Sequence, residues 1–224
     1  MTESSSIPAS LSSHLEHLNK LSPSTFAEKY LPLDDPLLTF SPLTEPSTTY
    51  TITLVRSAHL TTTDFTTCFS LIEVTSSAAY RNSSRGWHPG LKQAEMKETD
   101  MRYLLVRRAS TSPSSPSPIL GFLSFQLTPE PPDIVLYVYE IHLSASLRGC
   151  GLGTHLMGVA EELARRTGMR KTLLTVFTSN IRGEKFYRNL GYQEDDISPA
   201  SRELRGGKVK RPDYIILSKE VEGP

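Results

Sequence analysis

Ile134-Val-Leu-Tyr-Val-Tyr-Glu-Ile-His-Leu143 is followed, after Ser144 to Leu147, by Arg148-Gly-Cys-Gly-Leu-Gly153. The first string is apolar on both faces, and its branched and aromatic residues suit a central strand covered on each side. The second opens an amphipathic helix, with Leu156, Val159, Ala160 and Leu163 on one face, expected from Gly151 to about Thr167. A buried strand feeding such a turn aims unpaired N–H groups and the positive helix end at one point, where an anion belongs. Glycines at 149, 151 and 153 remove the side chains that would hold a pyrophosphate off the backbone. For an isolated glycine cluster a mere tight turn is the plainer reading, so the surroundings decide.

Upstream the pattern reads as a strand Tyr50 to Arg56, a helix Asp64 to Tyr80, a short helix Pro89 to Lys97, and strands Met101 to Arg108 and Ile119 to Leu127. Downstream come a strand Thr172 to Phe177, a helix Asn180 to Leu190 and a last strand Tyr214 to Lys219. Antiparallel strands first and a strand-helix-strand crossover afterwards make an α/β (α+β) fold, a mixed, mostly antiparallel sheet flanked by helices. The glycine turn lacks the Gly-Lys-Ser/Thr of a Walker loop, and the antiparallel hairpin before it excludes the opening turn of a dinucleotide fold. The loop Ala109 to Pro118 is nearly all Ser, Thr and Pro and reads as a mobile surface connection.

Met1 to Ser10 is Ser-rich and expected to be disordered. Leu11 to Tyr30, with Leu11, Leu15, Leu18 and Leu21 near helical spacing, reads as one peripheral helix. Pro32, Pro36, Pro42 and Pro46 make Leu31 to Pro46 an extended connection without regular structure. The chain thus divides into 1–47 and a functional domain over 48–224. Lys+Arg and Asp+Glu both number 24 of 224 residues, which leaves no positive field for nucleic acid, and no apolar run approaches the roughly 20 residues of a membrane span. Cys68 and Cys150 lie far apart with no secretory segment ahead of them, so a reducing, intracellular setting without a disulfide is expected. No residue pattern calls for a metal.

Glu140 stands in the middle of the apolar strand. Lost solvation raises a carboxylate's pKa and suits it to accept a proton near neutrality. The competing reading is a Glu whose head emerges where the strand splays and pairs with an Arg. Strict alternation puts Tyr137 and Tyr139 on one face and Glu140 on the other. Buried tyrosine hydroxyls need partners, so a polar cleft beside them is expected. His142 is a second candidate proton carrier, ranked below Glu140.

Arg-x-x-Gly-x-Gly at this place resembles the acetyl-coenzyme A signature of GNAT acetyltransferases. Tyr137-Val-Tyr-Glu140, Leu174-Thr-Val-Phe-Thr-Ser-Asn180, Phe186-Tyr187, Leu190-Gly-Tyr-Gln-Glu-Asp-Asp-Ile-Ser-Pro199 and Tyr80-Arg-Asn-Ser-Ser-Arg-Gly-Trp87 together resemble the NatD branch of N-terminal acetyltransferases, over roughly Ala79 to Val221. The resemblance implies the GNAT fold and an enzyme that moves acetyl from acetyl-CoA to the N-terminal Ser of histones four and two-A. It also implies action in nucleus and cytoplasm, as a monomer without an auxiliary subunit. By it, Glu140 matches the catalytic glutamate with Tyr139 beside it, and Tyr80, Trp87, Gln126, Tyr137, Tyr139, Thr175 and Tyr214 match residues around the peptide start. Cofactor contacts would come from Ile141, His142, Leu143, Arg148, Gly149, Cys150, Gly151, Leu152, Gly153, Thr154, Asn180 and Ser198. Asn180 also reads as a helix N-cap, and Thr175 as an ordinary strand residue.

One departure matters. The family places an acid just after a Phe near the end of the preceding strand, and here Phe125 is followed by Gln126. Glu130 and Asp133, with Glu194, Asp195 and Asp196, are the carboxylates expected to flank the site and read a basic peptide. Two other functions stay open: acetylation of a polyamine or other small amine on the same fold, and a non-catalytic module that senses acetyl-CoA.

Overall fold

The computed structural model describes residues 6–110, 117–203, 205 and 209–221. In chain order the helices and strands are α1 (Ala9–Lys20), α2 (Pro23–Tyr30), β1 (Thr39–Phe40), β2 (Tyr50–Arg56), α3 (Thr62–Arg81), α4 (Pro89–Met96), β3 (Arg102–Arg108), β4 (Ile119–Glu130), β5 (Asp133–Leu143), α5 (Leu152–Arg166), β6 (Lys171–Phe177), α6 (Ile181–Asn189), β7 (Gln193–Glu194), β8 (Arg202–Glu203), β9 (Val209–Lys210) and β10 (Tyr214–Glu220). Eight strands form one sheet in the order β1-β2-β3-β4-β5-β6-β10-β7, with β8 and β9 as a separate ladder. Among the described residues only the β5–β6 pair is parallel, as the crossover through α5 requires.

Alternation along the strands sorts the core into two layers. Leu104, Val106, Leu123 and Leu136 meet α1, α2 and α5 on one face. Tyr103, Leu105 and Phe122 meet Cys68 and Ile72 of α3 and Met96 of α4 on the other. Each such buried aliphatic or aromatic side chain contributes roughly 1.5–3 kcal/mol relative to exposure.

The amino-terminal region departs from expectation in two ways. The single helix over Leu11 to Tyr30 is two, because Pro23 cannot continue α1. Leu21 turns to extended backbone, and Ser22 caps α2 by accepting from the Thr25 N–H. The Pro-rich stretch holds a 3-10 turn at Pro36–Leu38, capped by Asp35, and β1, which pairs with the start of β2. Leu18, Phe26, Leu31 and Leu38 lie in the main core. Buried Arg102 fastens them: it donates to Asn19 Oδ1 at 3.1 Å and stacks on Phe26. At the far end of α5, Arg166 pairs with Asp35 and donates to the Tyr30 carbonyl. Of Met1 to Ser10, expected to be disordered, Ala9 and Ser10 open α1, and residues 1–5 lie outside the described residues, as do 111–116 of the Ser/Thr/Pro loop.

Two irregularities prepare the site. The β4–β5 register slips between Ser124, opposite Glu140, and Phe125, opposite Val138, so Tyr139 is an extra residue in β5. And β5 pairs with β6 only from Leu136 to Val138, beyond which the two parallel strands part.

Candidate active site

The bulge at Tyr139 corrects the expected alternation. Ile134, Leu136 and Val138 face the α5 side, and so do Ile141 and Leu143 beyond the bulge, which means the phase has reversed. Tyr137, Tyr139, Glu140 and His142 therefore all face α3 and α4, and all four line one cavity of about 290 Å³ at the strand fork. One inserted residue gathers two phenols, a carboxylate and an imidazole on a single face.

Glu140 does not pair with an Arg. Its Oε1 accepts from Lys92 Nζ of α4 at 2.8 Å and from the Tyr80 hydroxyl of α3 at 3.3 Å. Its Oε2 lies 2.6 Å from His142 Nε2, and His142 Nδ1 lies 2.6 Å from Thr75 Oγ1. Lys92 also bonds Glu95 and sits 4.9 Å from the Tyr80 ring centroid.

The raised carboxyl expected from burial is overturned. Burial does push the Glu140 carboxyl up, but hydrogen bonding and charge from His142 and then Lys92 outweigh it, and the group falls to about 2. Burial works against the Lys92 ammonium, yet Glu140, Tyr80 and Glu95 hold it above its ordinary value. Burial, then Glu140, lifts the Tyr80 phenol to about 12. Burial, then Glu98 and Glu95, does the same for Tyr139. At neutral pH Glu140 is thus an anion and Lys92 a cation beside neutral phenols, with Arg85 and Glu95 also lining the cavity.

Of the residues expected around the acceptor, Tyr80, Tyr137, Tyr139 and Thr175 line the cavity, with the Tyr137 hydroxyl 2.5 Å from Thr175 Oγ1 across the fork. Trp87 lies outside it, packed on Tyr80 and lining a shallower recess beside Arg85 and Leu91. Tyr214 sits under Arg85. Gln126 takes the Tyr139 hydroxyl at 3.5 Å and donates to Glu98 Oε2 at 2.6 Å, which puts a carboxylate beside position 126.

Glu130 and Asp133 do not reach the site. They face each other across the β4–β5 turn, seven positions along β5 from Glu140, which is on the order of 20 Å of strand. Asp133 is 3.9 Å from Arg170, Asp195 bonds Lys171 at 2.7 Å and Glu194 is 4.0 Å from Arg188. Glu130 and Asp133 belong to the far end of β5, and Glu194 and Asp195 to the outer edge of the sheet beyond β10.

The second half of the site is a groove of about 880 Å³ that shares Ile141, His142, Asn180 and Tyr187 with the cavity and runs past Leu143 to the glycine turn. Gly149 and Gly151 hold φ of 78° and 92°, conformations that L side chains rarely adopt. The first helical bond of α5 is His155 N–H to the Gly151 carbonyl. Among the described residues no acceptor takes the N–H groups of Gly149 through Thr154. This is a ready anion cradle at the N-terminus of a long helix. Gly153 has another role than expected: a Cβ there would lie 3.3 Å from Phe186 Cζ, so it permits packing on α6. The side chain of Leu152 is buried in the core and that of Cys150 packs against it, so their contribution to a ligand is backbone only.

Arg148 lines the groove while its Nε donates to the Leu143 carbonyl at 3.3 Å, and Asn180 both lines it and caps α6 at Gly183 N–H. Ser198 is a correction. Its Oγ accepts from the Ile216 N–H at 3.1 Å on the β7 side of β10, and it lines neither the groove nor the cavity.

Residues 69–192 match the profile of the Acetyltransferase (GNAT) family. The chain belongs to the GNAT family. The acetyl donor of these enzymes is acetyl-CoA, and the cradle and groove fit its pyrophosphate and extended arm. N-alpha-acetyltransferase 40 of Saccharomyces cerevisiae is 30% identical over 158 residues, 59% of this chain and 53% of that protein. The N-acetyltransferase YycN of Bacillus subtilis is 33% identical over 79 residues, 35% of this chain and 51% of that protein. The chain thus spans about half the length of these relatives. Among solved structures, an acetyltransferase from Streptococcus agalactiae superposes with a TM-score of 0.53 at 12% identity, covering 75% of this chain and 98% of that one. PaiA N-acetyltransferase from Thermoplasma acidophilum, in complex with coenzyme A, gives 0.50 at 15% over 76% and 99%. These establish the GNAT fold.

Several site residues were not read from the sequence: Thr75, Lys92, Glu95, Glu98, Arg182 and Tyr187. In α4 the polarity is inverted, Leu91 being 70% exposed and Lys92 7%. A Lys and a Glu three apart on a short helix read as an ordinary solvated face.

Proposed function

We propose that this GNAT protein acetylates the α-amine at the start of a polypeptide, and that its substrate is the N-terminal Ser of a histone of the four or two-A type. The observation that carries the amine class is Lys92 in the acceptor cavity, 2.8 Å from Glu140. Glu140 is already engaged by Lys92, Tyr80 and His142, so it offers no open oxygen to a charged amine and the acceptor must enter uncharged. An α-amine, with an ordinary pKa of about 7.7–8.0, gives up its proton far more readily than a lysine at about 10.4.

In this reading acetyl-CoA supplies an activated thioester. The Gly149–Thr154 N–H groups hold its pyrophosphate, and Tyr137, Thr175 and Tyr80 frame the peptide start at the fork. Glu95 lines the cavity and Glu98 bonds Gln126 beside Tyr139; on this reading they meet the basic residue of a histone tail. Likeness to an N-alpha-acetyltransferase points the same way. A histone substrate implies work in the cytoplasm and nucleus. Because α1 and α2 bury their apolar residues on the chain's own sheet, we read the protein as acting without an auxiliary subunit.

The test is incubation with acetyl-CoA and peptides beginning Ser-Gly-Arg-Gly, alongside spermidine, with the acetylated atom located by mass spectrometry. Acetyl on the peptide α-nitrogen supports the reading. Acetyl on spermidine or on lysine side chains alone overturns it.

A further inference from the structure

We propose that the proton released by the attacking amine is taken up by His142, with Glu140 orienting the imidazole and Thr75 receiving its second N–H; this rests on the reading above. The geometry is a chain of three groups: Glu140 Oε2 to His142 Nε2 at 2.6 Å, and His142 Nδ1 to Thr75 Oγ1 at 2.6 Å. Thr75 Oγ1 lies in addition 2.7 Å from the Leu71 carbonyl. The single hydroxyl proton of Thr75 therefore has two acceptors, and it can serve only one at a time.

That choice makes the chain a proton store. With the imidazole neutral, Nε2–H donates to Glu140 and the Nδ1 lone pair accepts from Thr75. When Nδ1 gains a proton, it donates to Thr75 Oγ1 and the Thr75 hydrogen turns to the Leu71 carbonyl. Every polar group stays paired and no heavy atom moves, so the charged form carries little reorganisation cost. Glu140 then resembles the carboxylate that orients and stabilises a catalytic imidazolium without itself being protonated. Its oxygens are already engaged by Lys92, Tyr80 and His142, and the carboxyl is held low at about 2.

The step balances. The amine nitrogen forms its bond to the thioester carbonyl carbon and the C–S bond breaks; the Thr75 hydroxyl takes the amine proton as it hands its own to Nδ1, and the proton returns by the same route to the departing thiolate, which leaves as the thiol with the imidazole neutral again. His142 lines both the cavity and the groove, and Thr75 the groove, so the store lies between the two. The titratable or charged groups bearing on the dyad are Tyr80 from α3, Lys92 and Glu95 from α4, Tyr103 from β3 and Tyr187 from α6, while the Phe122 ring covers His142 from β4.

The test reads the ring directly. Long-range ¹H–¹⁵N spectra of the full chain, with His142 assigned by its loss in His142→Gln, should show the Nε2–H tautomer at high pH and a proton added at Nδ1 as pH falls. The midpoint should coincide with the low-pH limb of kcat/KM for the peptide. Glu140→Gln removes the anion that favours imidazolium, and Thr75→Val removes the acceptor for Nδ1–H, so each should move both midpoints to lower pH. His142→Gln should lose turnover on the order of 10²-fold together with the limb, while still gaining heat resistance from acetyl-CoA. A His142 that keeps one tautomer and one charge throughout the limb overturns the proposal, as does a His142→Gln protein with the wild-type limb. If the wild type acetylates no peptide, the proposed function fails; the ring titration and its shifts in Glu140→Gln and Thr75→Val, read without substrate, still decide the proton store.

Discussion

Lys92 Nζ lies 2.8 Å from Glu140 Oε1, with side-chain exposures of only 7% and 9%. Removing one member of such a pair strands the other charge away from water. Lys92→Met should therefore cost about 3 kcal/mol or more in urea unfolding, and the double variant Lys92→Met, Glu140→Gln should recover much of it. A double variant as unstable as the sum of the two single changes would show that the pair is not coupled.

The depressed Glu140 carboxyl makes stability pH-dependent. Its value falls on folding from 4.5 to about 2, so the native state binds this proton less readily than the unfolded chain. The contribution is complete above 4.5 and is lost as pH drops through about 2. On the order of 3 kcal/mol is at stake. The unfolding free energy of Glu140→Gln, followed over the same range, should be flatter than that of the wild type.

Gly149 carries φ of 78° with nothing within 4 Å of an added Cβ. Gly149→Ala strains the cradle without a clash and should cost the apo protein only about 1 kcal/mol. Acetyl-CoA at about 100 times its Kd should raise wild-type stability by about 2.7 kcal/mol. Thermal shift should show most of that gain lost in the variant; an unchanged gain would remove the pyrophosphate from this turn.

Ser198 holds the edge of the sheet at Ile216. Ser198→Ala should leave the KM for acetyl-CoA unchanged and lower stability by about 1 kcal/mol. A several-fold rise in KM would restore Ser198 to the cofactor.

For the peptide, Glu98→Gln should raise KM for a Ser-Gly-Arg-Gly peptide, and do so less when its Arg is replaced by Ala. Glu130→Gln with Asp133→Asn should change neither, because those carboxylates serve the far end of the sheet. Equal losses on both peptides in Glu98→Gln would separate Glu98 from recognition of the Arg.

Strand positions, crossover and glycine turn were legible because each has a local cause: period-two strands, a period-3.6 helix after the turn, and glycines where φ is positive. What the sequence hid is non-local. Nothing in Tyr137-Val-Tyr-Glu140 marks Tyr139 as a bulge, since the extra residue exists only relative to Ser124 and Phe125 on β4. The direction of the Glu140 shift was missed for the same reason. Burial could be inferred from its neighbours in the chain, but Lys92 lies 48 positions away. The acidic residues at 130 and 133 lay close to the motif in sequence, yet the register carries them to the far end of β5, while those at 194–196 are set apart on the outer edge strand.

Arg102 and the residues it gathers from α1 and α2 give the protein a foldable unit longer than its homologous one. The family profile spans 69–192, yet a fragment cut to those limits would leave Leu104, Leu123 and Leu136, which the described chain buries completely, without part of their cover. Such a fragment should aggregate on expression. Any segment put in place of the stretch ahead of α3 would have to roof that face of the sheet as α1 and α2 do.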